Sequence, residues 1–303
     1  MIHRLSLRVD PPFRLAVVAF GHGWIDLAPN GWDPVRGVLR TAARVGSIPS
    51  GFTVRQAGGR LHVTASAEQP MPRAAVRRVV AHMLRLDEDF GPWWSLCKRE
   101  GRLAWAAELG AGRLLRAPTT FEDLAKLLLT TNCSWAATRR MVTSLVEHLG
   151  ESVPGGLRTF PTPERCAEMP ERFFRDVVRT GYRARALREL ARRAASGELS
   201  CCDDPTATCE RRREALLALP GFGPYAVGQA LRLLGHYEDL ALDSWCRAKL
   251  KERTRGGRVP SERTVLRRYA RFGEYRGLAL WVDLTRDWHL QPGASAPLSV
   301  TPQ

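Results

Sequence analysis

This chain of 303 residues lacks long apolar segments and an even set of cysteines, and it contains only four lysines. No stretch approaches the roughly 18 to 20 apolar residues that a membrane-spanning helix needs. The charged start of the chain does not resemble a secretory signal. Seven cysteines, an odd number, argue against a disulfide framework. We therefore expect a cytoplasmic protein without membrane association.

The chain is strongly basic, and arginine supplies nearly all of the positive charge. Lysine and arginine together number 46 against 31 acidic residues, which gives a formal net charge of +15. Such a surface attracts polyanions, of which nucleic acid is the commonest. A ribosome-bound or membrane-surface protein could carry the same charge, and a GC-rich genome would favour arginine codons. Charge alone therefore does not choose among these partners.

The hydrophobic pattern changes its period near residue 72. Before it, residues 15–20 form a short apolar run that predicts a strand, and residues 52–55 and 60–64 flank a Gly58-Gly59 turn typical of a hairpin. After it, apolar residues recur at helical spacing. The pattern predicts an α+β protein with a mostly helical body. Its parts are a β-rich N-terminal domain over 1–72, the helical body over 73–290 and a disordered tail over 291–303.

Several helices are predicted within the body, at about residues 120–149, 163–179, 184–196 and 211–219. Glu122 and Asp123 in the first turn support the start of the first of these helices. Three leucines follow Lys126, so the lysine is expected to face solvent.

The most informative segment joins two helices over about residues 211–231. Between them stands Leu219-Pro220-Gly221-Phe222-Gly223, followed by a proline that suits the first turn of a second helix. Two glycines permit a tight turn and a close approach to a ligand. The free N–H groups at the start of the second helix would favour an anion such as phosphate. An ordinary helix–turn–helix corner would show the same pattern.

An aspartate follows the hairpin. Asp243 ends the apolar segment 240–242 and precedes another predicted helix, whose N-terminus it could simply cap. It lies 18 residues after Tyr225.

The hairpin and the aspartate together resemble the signature of the helix-hairpin-helix (HhH-GPD) superfamily of DNA glycosylases. The resemblance extends from about Pro12 to Trp288 and is closest to the 3-methyladenine glycosylase II and 8-oxoguanine branches, whose catalytic body follows a β domain. It implies that Asp243 performs the chemistry. It also implies that the hairpin binds the DNA backbone through Gly221, Gly223, Tyr225 and Val227.

Two further segments resemble DNA-contacting parts of the same superfamily. Residues 127–135 resemble the helix and loop that carry the residue filling the gap left by a flipped base, which implies that Asn132 is this plug. Thr180-Gly181-Tyr182-Arg183 resembles a segment of the 8-oxoguanine branch, which implies DNA contacts from Tyr182 and Arg183, with the tyrosine wedged into the opposite strand. A helix start with an exposed aromatic residue is the alternative for this second segment.

The sequence also departs from the bifunctional members of the superfamily. They carry a nucleophilic lysine where this chain has Tyr225, so no lyase step is expected. An aromatic residue there is closer to the alkylpurine branch and could stack on a cationic base, although Tyr225 could equally serve packing. The other aromatic residues proposed for the base pocket are Trp135, Trp245, Trp281 and Trp288.

Iron–sulfur members of the superfamily hold their cluster with four cysteines after the aspartate. Here only Cys246 lies beyond Asp243, and Cys201, Cys202 and Cys209 do not form such a quartet. We therefore predict no cluster, no zinc and no other cofactor.

The resemblance implies a monofunctional DNA glycosylase of base excision repair. It would act as a monomer on double-stranded DNA containing damaged bases, and would associate with the nucleoid when bound. An alkylated purine is the expected substrate. An 8-oxoguanine glycosylase and a non-catalytic DNA-binding protein that uses only the hairpin are the alternatives.

Overall fold

The computed structural model describes residues 1–254 and 256–290, and its N-terminal part contains an antiparallel sheet. The strands within the described residues are β1 Ile2–Arg8, β2 Gly31–Asp33, β3 Val38–Val45, β4 Ile48–Ala57 and β5 Arg60–Ser66. Their order in the sheet is β1-β5-β4-β3-β2. Gly58 and Gly59, both at positive φ, form the turn between β4 and β5, so the predicted hairpin is confirmed.

Helices and the loops that join them make up the rest of the described chain, which confirms the predicted α+β class. Two 3-10 turns, Gly23–Asp26 and Ala270–Tyr275, lie among these helices. The α-helices among these residues are α1 Leu15–Ala19, α2 Arg73–Met83, α3 Gly91–Arg99, α4 Ala104–Leu109, α5 Thr120–Thr130, α6 Trp135–Leu149, α7 Pro163–Glu168, α8 Arg183–Ala195, α9 Ser200–Asp203, α10 Cys209–Leu217, α11 Pro224–Leu233, α12 Ser244–Glu252, α13 Glu262–Tyr269, α14 Arg276–Leu284 and α15 Arg286–Leu290.

Three expectations about single elements were wrong. The run at residues 15–20, predicted as a strand, forms the helix α1. Four of its five helical residues are buried, and a short, fully apolar run has no periodicity that distinguishes a buried strand from a buried helix. The helix expected over 120–149 is broken between α5 and α6, where Asn132 has a φ of +48°. The helix expected over 163–179 ends before Pro170, which is followed by a π-helical turn, Phe173–Val177.

Lys126 is buried, contrary to the expectation that it faces solvent. Helix α5 is enclosed on every side, and its residues 120–129 are all buried. The lysine ammonium group therefore needs an internal partner, and Glu122 Oε1 one turn earlier lies 2.6 Å from it.

The buried side chains of the described residues form two hydrophobic clusters. The first joins the inner face of the sheet to α5, α6, α8 and α11, and the second joins α3 and α4 to α14. Because the first cluster continues from the sheet into the helices, the sheet and the helical body share one core. The domain boundary at residue 72 stays a prediction, and the tail 291–303 lies outside the described residues.

Candidate active site

A cleft of about 800 Å³ opens where the two hydrophobic clusters meet. Its floor and walls come from the 3-10 turn after α1, the end of α5, the start of α6, the first turns of α11 and the start of α12. The lining residues are His22, Gly23, Trp24, Leu127, Thr130, Asn132, Cys133, Trp135, Thr138, Tyr225, Gln229, Asp243, Ser244, Trp245, Ala248 and Trp281. Aromatic side chains contribute six of these sixteen residues, and Asp243 is the carboxylate among them.

Helices α10 and α11 form the predicted hairpin beside this cleft. Gly221 has a φ of +84°, and a Cβ atom there would lie 2.7 Å from Leu128 Cδ1, so both backbone and packing require a glycine. Gly223 has an ordinary extended backbone, and a Cβ atom there would meet nothing within 4 Å. The fold itself therefore does not require a glycine at position 223.

Asp243 both caps a helix and lines the cleft. Its Oδ1 accepts the backbone N–H of Cys246 at 2.6 Å, which caps α12. The Tyr225 hydroxyl and the Cys246 thiol also lie within hydrogen-bonding reach of the Asp243 carboxylate. The capping interaction thus fixes the carboxylate in the wall of the cleft, where it faces a molecule bound there.

Close packing on both sides positions the segment that leads to Asp243. A Cβ atom at Gly228 of α11 would lie 2.9 Å from Ala241 Cβ, and one at Gly277 of α14 would lie 1.9 Å from the Asp239 carbonyl oxygen. The buried Arg232 guanidinium donates to the carbonyl oxygens of Asp239 and Leu240, both at 3.0 Å. This segment is therefore held between α11 and α14 with little freedom.

Three tryptophans form a cluster on the α12 side of the cleft, but only two of them line it. Trp245 and Trp281 lie in the wall, with ring centroids 5.7 Å apart. Trp288 packs behind them, 5.3 Å from Trp245, and does not reach the cleft. Trp288 thus packs on the two indoles of the wall, and its contact with a base stays a prediction that this position does not support.

Tyr225 lies in the cleft beside Asp243. Burial and, after it, the negative charge of Asp243 hold the pKa of the Tyr225 phenol well above its usual value of 10. The phenol is therefore neutral at physiological pH. It presents an aromatic face and a hydroxyl group next to the carboxylate.

His22 is a cleft residue that sequence reasoning did not assign to the site. Its ring stacks on Trp281 at 5.4 Å and meets the edge of Trp24 at 4.3 Å. Burial, followed by the positive charge of Arg232, lowers the pKa of His22 from 6.5 to about 3, so the imidazole is neutral. In the sequence, His22 is marked only by its position between Gly21 and Gly23, and this local pattern does not predict which distant residues pack around it.

The N-terminal part contributes to the cleft in a second way. Trp135, a predicted pocket residue, lines the cleft, and its indole Nε1 donates to Asp26 Oδ2 at 3.3 Å. Burial is the main cause that raises the pKa of the Asp26 carboxyl, and the Trp135 hydrogen bond partly opposes it. Trp24 donates its own indole N–H to Asp123 Oδ1 at 2.6 Å, which fixes that wall to α5.

Asn132 and Tyr182, predicted from separate segments, meet near the rim. Both residues are exposed, and the Asn132 amide donates to the Tyr182 hydroxyl at 3.3 Å. Tyr182 has 69% of its surface exposed, which is unusual for a large aromatic residue.

Two residues predicted to contact DNA are buried. Val227 is 1% exposed, and its backbone N–H already donates to the Gly223 carbonyl at 3.0 Å. Arg183 is 6% exposed, and its donors are directed at backbone carbonyls of the protein. Neither residue presents a free group at the surface, so these two direct contacts are not supported.

The described lining of this cleft contains no arginine and no cluster of metal-binding side chains. Its described lining contains no lysine. Nor does the described part of the chain contain a cluster of three or more histidine, cysteine or acidic side chains arranged to hold a metal ion. The absence of a cofactor stays a prediction. In that same part of the chain, no helix is long and apolar enough to cross a membrane.

Solved structures of DNA glycosylases resemble this chain over most of its length. MBOgg1 in complex with a low-affinity DNA ligand aligns with a TM-score of 0.72 at 17% identity, covering 94% of this chain and 96% of that one. The 8-oxoguanine glycosylase/lyase of Clostridium acetobutylicum, in complex with double-stranded DNA containing cytosine opposite 8-oxoG, aligns at 0.71 and 18%, covering 94% and 97%. The 3-methyladenine DNA glycosylase of Archaeoglobus fulgidus aligns at 0.70 and 20%, covering 94% and 98%.

These alignments establish the fold. The chain has the fold shared by the 8-oxoguanine and 3-methyladenine DNA glycosylases, as the resemblance implied. Comparisons with protein-family models and with curated protein sequences gave no match.

The neutral state of His22 leads to a prediction about stability in mild acid. The pKa of His22 is about 3 in the folded chain and near 6.5 when unfolded, so the unfolded chain binds a proton first as the pH falls. Stability should therefore decrease from about pH 6.5 to pH 3, with a His22 contribution of about 2 kcal/mol between pH 7 and pH 5. Urea unfolding at both pH values should show a smaller decrease for His22→Gln.

Two comparisons make this measurement specific. His148→Gln removes an exposed histidine and leaves the cleft intact, so it should keep the full acid-induced decrease. Equal decreases in the native chain and in His22→Gln would contradict the buried neutral imidazole.

Proposed function

We propose that this protein is a monofunctional DNA glycosylase that excises an alkylated purine from double-stranded DNA. The observation that carries the proposal is a single carboxylate, Asp243, in an aromatic cleft beside the hairpin. The structural resemblance to known DNA glycosylases supports the same class of reaction.

The hairpin supplies the anchor for DNA. The open space at Gly223 lets a phosphate approach the backbone that begins α11, where unpaired N–H groups and the helix dipole favour an anion. The arginine-rich surface adds non-specific attraction for the duplex. These contacts orient the duplex and help to offset the few kcal/mol that base extrusion costs.

The cleft suits a cationic base. Tyr225 and His22 are neutral, so neither repels a positively charged base. The faces of aromatic rings attract positive charge. An alkylated purine carrying a positive charge can stack on these rings, and it leaves as a neutral base when the bond to C1′ breaks.

Asp243 then stabilises the positive charge that develops on the sugar. The bond electrons go to the departing base. A water molecule adds to C1′ and transfers its proton to the carboxylate. The products are the free base and an abasic site.

The two alternatives differ in what they require. A non-catalytic hairpin protein has no need of a carboxylate in a base-sized cleft, so the position of Asp243 favours an enzyme. An 8-oxoguanine glycosylase would keep the fold and change the base. Excision assays on duplexes containing 7-methylguanine or 8-oxoguanine separate these two substrates.

Asp243→Asn should abolish excision and leave DNA affinity nearly unchanged. Asparagine caps a helix about as well as aspartate, so α12 should keep its position while the negative charge is lost. We expect single-turnover excision to fall ~100-fold or more. The matched control Asp239→Asn removes a carboxylate outside the cleft lining that is paired with Arg213 at 2.8 Å, and it should excise normally. Near-native excision by Asp243→Asn would exclude this residue as the catalytic carboxylate.

The two hairpin glycines should respond differently to alanine. Gly221→Ala places a Cβ atom at positive φ against Leu128 and should lower the unfolding free energy by about 2 kcal/mol. Gly223→Ala should change it by less than about 0.5 kcal/mol, yet should weaken binding of all duplexes alike because phosphate contacts carry no sequence information. Chemical denaturation and fluorescence anisotropy measure the two effects. Unchanged DNA affinity in Gly223→Ala would contradict the phosphate anchor.

The reaction should stop at the abasic site. A Schiff base requires an amine near C1′, but the described lining of the cleft contains no lysine. Lys126 is buried in its pair with Glu122, and Lys249 on α12 is paired with Glu252. Incubation with a 7-methylguanine duplex and sodium borohydride should yield abasic product and no covalent adduct. Efficient trapping that disappears when one lysine is replaced would reveal a bifunctional enzyme.

A further inference from the structure

Arg183 at the start of α8 makes an extensive set of hydrogen bonds to the loop after α5. Its Nε donates to the Thr131 carbonyl at 3.0 Å, and its Nη2 donates to the Asn132 carbonyl at 3.1 Å. Its Nη1 donates to the Thr180 carbonyl at 3.3 Å. The side chain is 6% exposed, so the guanidinium group is enclosed by the two segments that it joins.

These contacts hold Asn132 and Tyr182 together. The guanidinium carbon of Arg183 lies 4.4 Å from the centre of the Tyr182 ring, and Asn132 donates to the Tyr182 hydroxyl. Asn132 has a φ of +48°, a conformation that costs a non-glycine residue energy unless its surroundings stabilise it. The hydrogen bond to the Asn132 carbonyl provides such stabilisation.

We propose that Arg183 is a positioning residue that builds a two-residue wedge, Asn132 with Tyr182, before DNA binds. Since its donors are already engaged with protein carbonyls, Arg183 does not recognise the base opposite the lesion. The opposing base then affects excision only through the strength of its pairing. This inference rests on the proposed glycosylase function and replaces the direct DNA contact expected from the sequence.

A wedge that is ordered before DNA binds lowers the free-energy cost of extruding a base. Extruding a base costs a few kcal/mol, and a side chain that must first become ordered adds its own entropy cost. Turning Arg183 outward towards DNA would leave the buried carbonyl of Thr180 and the partly buried carbonyls of Thr131 and Asn132 without this donor.

The test compares Arg183→Met with Arg185→Met on two duplexes. Methionine keeps an unbranched apolar stem and loses the donors, while exposed Arg185 on the same helix provides a matched loss of charge. The first duplex has 7-methylguanine opposite cytosine, and the second has it opposite a tetrahydrofuran abasic analogue, where little pairing opposes extrusion.

We expect Arg183→Met to slow single-turnover excision about tenfold or more on the first duplex, since ~1.4 kcal/mol of lost extrusion energy is a factor of ten. On the second duplex the rate should change less than about threefold, and Arg185→Met should affect both duplexes alike.

A binding measurement separates this inference from the proposed function. Fluorescence of 2-aminopurine in an undamaged duplex reports unstacking without any chemistry. The native protein and Arg185→Met should raise the fluorescence, and Arg183→Met should raise it much less at saturating protein. If the native protein unstacks 2-aminopurine but excises no lesion, the proposed function fails while the wedge stands.

Other outcomes overturn the inference itself. If Arg183→Met slows excision equally on both duplexes, the arginine has a general structural role. If the variant excises at the native rate on both duplexes, the arginine has no role in extrusion. Faster native excision opposite cytosine than opposite a mismatched thymine, with the preference lost in Arg183→Met, would show that the arginine recognises the opposing base. If Arg183→Met does not fold, Arg183→Lys decides by the same ratio of rates, because a single ammonium group cannot reproduce the planar set of donors.

Discussion

The position of the proposed catalytic carboxylate depends on the buried guanidinium group of Arg232. It donates to the carbonyls of Asp239 and Leu240 and to Gln229 Oε1, and it lies 5.5 Å from the centre of the Trp281 ring. One side chain thus connects the second hairpin helix, the segment before Asp243 and an aromatic wall. Without it, buried acceptors on that segment would lose their donor, which costs more than a single surface hydrogen bond. The cleft is therefore organised from behind, by a residue that does not line it.

Burial also determines the charges within the cleft. His22 is neutral because an imidazolium there would lose its hydration close to Arg232, and Tyr225 is neutral because a phenolate would be buried beside Asp243. One negative group consequently faces a set of aromatic surfaces. In such a low-dielectric environment, the attraction between a carboxylate and a positively charged sugar or base is much stronger than in water. The same desolvation that keeps the histidine unprotonated therefore strengthens the proposed chemistry.

Local sequence signals predicted the elements that carry this arrangement, and long-range packing determined the rest. Gly221 in the hairpin and the two glycines of the β4–β5 turn have positive φ, which is a local physical cause, whereas Asp243 was assigned from its place in a resembling motif. His22 was missed because its burial depends on Trp24 and Trp281, the second of which lies far along the chain. Trp288 was assigned to the pocket because composition cannot distinguish a wall residue from one behind it. Arg183 was expected to contact DNA because it stands in a motif that resembles a DNA-contacting segment. The sequence does not show that its N–H groups already donate to backbone carbonyls of the protein.

Helix α5 explains why a lysine had to be buried in this fold. Leu128 on one side packs against the hairpin turn at Gly221, while Leu127 and Thr130 on another line the cleft. The loop at the C-terminal end of the helix carries Asn132. A helix that contacts the proposed phosphate anchor, the base cleft and the wedge has no surface left for solvent, so Lys126 forms an ion pair with Glu122 inside the protein. Because these contacts share one rigid helix, the separation between anchor and wedge is set by the core and not by flexible loops, and duplex DNA held at the hairpin would meet the wedge at a constant distance.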